Sequence, residues 1–198
     1  MSERADMADA LALDPKQTAL VLIDLQKGVL GRQTAPHSAS DVLARSARLA
    51  EGFRAAGGLV VLVHVSFSPD GRDRLTQLTD EAPPPAGVQP GWDEISSALG
   101  RSPADIVITK RQWGAFYGTQ LELQLRRRGI ATIAITGIAT NFGVESTARD
   151  AYERGFALVF VEDAMAGLSE GAHAFAVSTI FPRIGRIRST EQVLAALK

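Results

Sequence analysis

Three stretches combine residue types that could do chemistry. Asp24 closes the apolar run Ala19–Ile23 and is followed by Leu25, Gln26 and Lys27. Lys110 closes the run Ile106–Thr109 and leads into Trp113, Gly114, Ala115, Phe116 and Tyr117, an unusually aromatic connection. The third stretch, Thr136–Glu145, passes from an apolar run through Gly137, Ile138, Ala139, Thr140, Asn141, Phe142 and Gly143 into a helical pattern. A carboxylate at the rim of a core needs a partner, and a loop hydrogen bond or a cap would serve it as well as catalysis would. Aromatic residues beside a lysine suit a planar or cyclic ligand with an anionic group. Trp113 and Phe116 could equally pack under a helix start or fill a subunit interface. Free amides where a helix begins at Gly143 favour a developing anion or a carboxylate.

Other chemistries find little support. The chain has no cysteine, so thiol catalysis, thiolate metal sites and disulfides are excluded. His37, His64 and His173 are far apart and show no ligand spacing, and no metal or other cofactor is expected. His64, inside an apolar run, reads as a hydrogen-bonded residue at the core edge. Ser146 and Thr147 lie outside any nucleophile-elbow pattern, and the glycines of the third stretch match neither dinucleotide nor P-loop spacing.

Short Val- and Ile-rich runs alternate with stretches of helical periodicity, the pattern of a mostly parallel sheet with helices on both faces. Strands are expected at Ala19–Asp24, Leu59–Val65, Asp105–Thr109, Thr132–Thr136 and Ala157–Val161, with a short one near Arg186. Helices are expected at Val42–Ala56, Thr119–Arg128 and Val144–Arg154, each followed by glycine. In such sheets ligands bind beyond the carboxyl ends of the strands, where all three stretches fall. The proline-rich segment Glu81–Gly91 reads as a loop that could cover a pocket. Residues 1–15 read as an N-terminal arm and 16–198 as a single domain.

With 21 basic and 22 acidic residues and a formal net charge of −1, no broad field draws the chain to nucleic acid or an anionic membrane. The partner expected is a small molecule. Arg126, Arg127 and Arg128 close a helix, where cations complement the helix dipole. Neither a signal peptide nor a membrane-spanning apolar run is apparent, so the protein is expected to be soluble and cytoplasmic.

Taken together, Asp24–Leu25–Gln26, KRQWGAFYGTQL at 110–121, TGIATNFGVESTARDA at 136–151 and VEDAM at 161–165 resemble the isochorismatase-like hydrolase family, part of the cysteine hydrolase superfamily. The resemblance covers the chain from about Thr18 onward. It implies a Rossmann-like, three-layer α/β/α fold and places the family's aspartate, lysine and cysteine at Asp24, Lys110 and Gly143, so that glycine replaces the nucleophile. It also implies a cis peptide between Ile138 and Ala139, with an oxyanion site near the amides of Ala139 and Gly143. By the same resemblance, the substrate contacts are Gln26, Trp113, Phe116, Tyr117, Ala139, Asn141 and Phe142. The zinc motif of the amidase branch has no counterpart in HVSFSPDGRD at 64–73, so no metal is expected. Cysteine-less members that cleave a vinyl ether imply that Asp24 is a general acid, that Lys110 holds a substrate carboxylate or tunes Asp24, and that Gly143 makes room. Amide hydrolysis by an activated water and a catalytically silent binding or scaffold role are the alternatives. A homo-oligomer, dimer or tetramer, is also implied. Ile180, Phe181, Ile184 and Ile187 could serve its interface or the core.

Overall fold

The structure is a computed structural model and describes residues 11–81 and 89–198. Strand side chains alternate between the two faces of a sheet, so a strand buried on both faces must be apolar throughout. Strand β1, Thr18–Ile23, is buried along its length and apolar from Ala19 onward. Its Ala19, Val21 and Ile23 enter one core, and Leu20 and Leu22 enter the other. Five further strands follow: β2 Leu59–Val65, β3 Ile106–Lys110, β4 Thr132–Ile138, β5 Ala157–Ala166 and β6 Arg186–Arg188. All pair in parallel in the order β3-β2-β1-β4-β5-β6.

Helices α1 (Ala39–Ala55) and α2 (Leu121–Arg127) cover opposite faces. Helix α3 (Glu145–Glu153) joins α2 on one face, and α5 (Thr190–Ala196) joins α1 on the other, while α4 (Glu170–Phe175) follows β5. The result is the three-layer α/β architecture expected. Phe181 is buried and stacked on Phe160, and Ile180, Ile184 and Ile187, partly buried, pack against the same core. Leu13 is buried and pairs with Leu197, so residues 11–15 pack on the body of the domain. The rest of the expected arm, and residues 82–88 of the expected covering loop, lie outside the described residues.

The differences from the expected elements fall near the strand ends. Strand β5 continues to Ala166, five residues beyond the expected end. The third helix starts at Glu145, after a π turn at Thr140–Val144 in which the Ala139 carbonyl accepts from the amides of both Phe142 and Val144. Gly137, at φ +120°, lies against β1 so closely that a Cβ there would meet the Ile23 carbonyl oxygen at 2.1 Å. Only glycine lets β4 lie this close to the end of β1.

Candidate active site

The strand order reverses between β1 and β4, which makes their carboxyl ends a topological switch point and opens a crevice there. Asp24 leaves β1 on one side of it, and the π turn leaves β4 on the other. Asp24 holds φ at +55°, a left-handed conformation that aspartate tolerates better than most residues. Its amide donates to the Val63 carbonyl.

Lys110 ends β3, two strand positions and roughly 10 Å from β1. It shares a strand face with Ile108 and stands where a third apolar residue would otherwise enter the core. Its long side chain runs beneath the end of β2, and Nζ meets Asp24 Oδ2 at 2.7 Å. Nζ also donates to the Trp113 carbonyl at 2.7 Å, which leaves one N–H of three. Asp24 is 7% exposed and Lys110 2%.

Gly143 completes the cluster. A Cβ on it would stand 3.1 Å from Asp24 Oδ2, 3.2 Å from Lys110 Nζ and 3.0 Å from Ile23 Cγ2. Its bare α-carbon thus faces the ion pair. Thr147, one turn along, donates to the Gly143 carbonyl at 2.6 Å and accepts from the Ala115 amide at 3.1 Å. It thereby ties the loop after Lys110 to the turn that carries Gly143.

Burial pushes the Asp24 carboxyl above its ordinary value, against the attraction of Lys110. The two carboxyl oxygens differ. Oδ2 is held by Lys110, whereas Oδ1 is buried with no hydrogen-bond partner among the described residues. The nearby Val65 amide is already committed to Gln26. Asn141 Oδ1 is likewise a buried acceptor without a hydrogen-bond partner among the described residues.

The Ile138–Ala139 peptide is cis, and Ala139 lies at the start of the π turn. Trp113, 63% exposed, packs edge-on against Phe142 with ring centroids 4.9 Å apart, which brings the Lys110 loop and the Gly143 turn into contact. Tyr117 is more exposed still, at 76%.

Two of the expected substrate contacts, Gln26 and Phe116, are buried among protein groups. Gln26 is fully buried and serves as a brace, accepting from the Val65 amide at 2.8 Å and donating to the Val65 carbonyl at 3.0 Å, as a continuing strand would. Phe116 is a core residue, packed on Phe156 with the Arg154 guanidinium 5.0 Å from its ring. The aromatic richness of 113–117 therefore has two causes, since Trp113 faces outward and Phe116 inward.

His64 bridges the Asp93 carbonyl and the Thr109 hydroxyl, as expected for a residue at the core edge. Among the described residues no cluster of His, Asp or Glu is arranged to hold a metal ion, and no helix is long and apolar enough to cross a membrane. Thr147 was not anticipated. Its only sequence signal is a hydroxyl four residues after Gly143, on the helix face turned to the site.

Comparison with known proteins accords with this geometry. The isochorismatase domain family matches residues 18–192. The isochorismatase family protein YecD of Escherichia coli O157:H7 is 54% identical over 188 residues, covering 94% of this chain and 100% of that protein. The ureidoacrylate amidohydrolase RutB of Methylobacterium radiotolerans is 33% identical over 214 residues, covering 96% and 83%. The solved structure of an isochorismatase family protein from Burkholderia thailandensis superposes with a TM-score of 0.91 at 48% identity, covering 96% of this chain and 99% of that one.

Proposed function

The chain belongs to the isochorismatase family of hydrolases, and on that premise we propose that it hydrolyses a vinyl-ether or related bond in a small carboxylate-bearing molecule, with Asp24 as general acid. The observation that carries this reading is the division of labour within the Asp24 carboxyl. Lys110 anchors Oδ2, Oδ1 has no hydrogen-bond partner among the described residues, and burial favours the protonated form that a general acid needs.

In this mechanism the Asp24 carboxyl transfers its proton to the enol carbon of the substrate, and the ether oxygen supplies the electrons that form an oxocarbenium ion. A water adds to that ion, its surplus proton returns to Asp24, and the resulting hemiketal collapses to a ketone and an alcohol. No covalent enzyme intermediate is required, so glycine at position 143 is compatible with turnover. With Nζ on Asp24 and the Trp113 carbonyl, Lys110 positions and tunes the acid, and its remaining N–H is available to a substrate carboxylate. Trp113 and Phe142 offer an aromatic wall for a planar or cyclic substrate, and Asn141 Oδ1 accepts from a substrate donor. Ala139 and Gly143 lend backbone amides, and Tyr117 completes the aromatic rim.

The similarity to RutB favours a second reading, amide-type hydrolysis in which ionised Asp24 activates water. The two differ in sign with pH. A general acid loses activity as pH rises through the Asp24 value, and a general base gains it. Purified protein is assayed for pyruvate release from isochorismate and against amides including ureidoacrylate, each with an Asp24→Asn control. Turnover of isochorismate that disappears in the control supports the first reading. Turnover of amides alone favours the second, and turnover of neither, with no thermal shift from either substrate class, points to a silent binding protein.

A further inference from the structure

Beside the π turn lies a second polar cluster that the proposed reaction does not use. The Thr140 hydroxyl, fully buried, is 2.8 Å from His173 Nδ1. His173, buried on α4, has Nε2 3.2 Å from Glu162 Oε1 on β5. The same Glu162 oxygen is 3.5 Å from His37 Nε2, and the two imidazoles stand edge to face with centroids 6.2 Å apart. Glu162 and His37 are the titratable groups that face His173 from the elements packed on it.

The proton positions follow from the partners. An ionised carboxylate only accepts, so Glu162 requires a hydrogen on His173 Nε2. In the neutral imidazole Nδ1 is then an acceptor, and the Thr140 hydroxyl must donate to it. Burial pushes the His173 imidazole below its ordinary value, against the pull of Glu162, so the neutral form prevails near pH 7. Protonation would put a hydrogen on Nδ1 as well. The Thr140 hydroxyl would then have to turn its own hydrogen elsewhere inside a buried turn, where a donor left without a partner is costly.

We propose that His173 is a positioning residue for the active-site turn: as neutral imidazole oriented by Glu162 it fixes Thr140, and through it the register of Gly143 against Asp24 and Lys110. Protonation of His173 resets the turn. The inference rests on the proposed function only in taking the Thr140–Val144 turn as part of the active site, and its test does not require that any substrate be turned over.

The test follows His173 imidazole and Thr140–Gly143 amide resonances by NMR through a pH titration, in an Asp24→Asn background that removes the carboxyl titration nearby. The amides are expected to move with the same midpoint as the His173 ring, below the ordinary histidine range. His173→Asn, which retains an acceptor for Thr140 but does not titrate, should abolish that movement. Thr140→Val should leave the ring titrating while the amides stop following it, and His37→Asn should leave the coupling in place. Amides that stay still while the His173 ring titrates, or that lose their movement in His37→Asn instead, overturn the proposal. If His173→Asn does not fold, the nearly isosteric Thr140→Val carries the same decision. In otherwise unaltered enzyme with a turned-over substrate, the acid limb of the pH profile should lower kcat and not KM, and should vanish in His173→Asn. The NMR readout is made with Asp24 replaced and without turnover, so failure of this inference is distinguishable from failure of the proposed function.

Discussion

Replacing Asp24 by Asn separates what the carboxyl does for catalysis from what it does to stability, and the structure sets the sign of the second effect. In the unfolded chain the carboxyl has its ordinary value of 3.8, and burial raises it in the folded state. Between the two values the folded protein holds more of this proton than the unfolded one. The contribution to stability is therefore complete below 3.8 and is lost as pH rises through the folded value. One proton limits the slope to about 1.4 kcal/mol per pH unit. Asn cannot titrate, so this slope is absent from Asp24→Asn, and the stability of the wild type relative to the variant should fall with rising pH and then level off. Activity should drop by about 10²- to 10⁴-fold, the usual worth of a general acid. Urea denaturation of both proteins, followed by tryptophan fluorescence at a series of pH values, reads the first effect, and turnover reads the second. If the wild type instead gained on the variant as pH rose, Lys110 would outweigh burial, and Asp24 would be held ionised, which would remove the acid from the mechanism.

Four further outcomes are expected. Gly143→Ala places a methyl group 3.0–3.2 Å from Ile23, Asp24 and Lys110, and should cost about 1–3 kcal/mol in thermal or urea unfolding while lowering kcat more than it raises KM. Gly143→Cys bears the same crowding, and a gain of amidase activity would show that the acid, the lysine and the backbone amides are placed to serve a thiol. Gln26→Leu strips the Val65 amide and carbonyl of their side-chain partner, with an expected loss of about 1–3 kcal/mol in urea denaturation, whereas a substrate-contacting residue would show its effect in KM. Trp113→Ala removes a ring that is mostly exposed but packed on Phe142, so KM should rise by the equivalent of about 0.5–1.5 kcal/mol with the melting temperature nearly unchanged.

Much of this protein was legible in its residues because one rule reports on many of them at once. A strand buried on both faces must be apolar, so the runs at 19–23 and 59–65 announced a parallel sheet, and charges at the ends of such runs drew attention to Asp24 and Lys110. That glycine 143 stands where the family's thiol would be is what the resemblance of the motif implies. Local pattern does not report direction across space. Trp113 and Phe116 are three residues apart in one aromatic stretch, and only packing against Phe142 or Phe156 distinguishes them. The bonds of Gln26 to Val65, 39 residues away, leave no trace in the local pattern. The 2.7 Å contact of Lys110 with Asp24 depends on strand order, which places β3 two positions from β1, and the bonds of Thr147 and His173 to the turn after β4 are made by the fold. The sequence by itself determined the alternation of elements, the absence of a thiol and the charges at the strand ends, since each follows from residue type and neighbours along the chain. The tertiary structure alone decided which of those charges meet, which oxygen of Asp24 is left unpartnered and which side chains are braces, because burial and hydrogen bonding are set by neighbours that are distant in the chain.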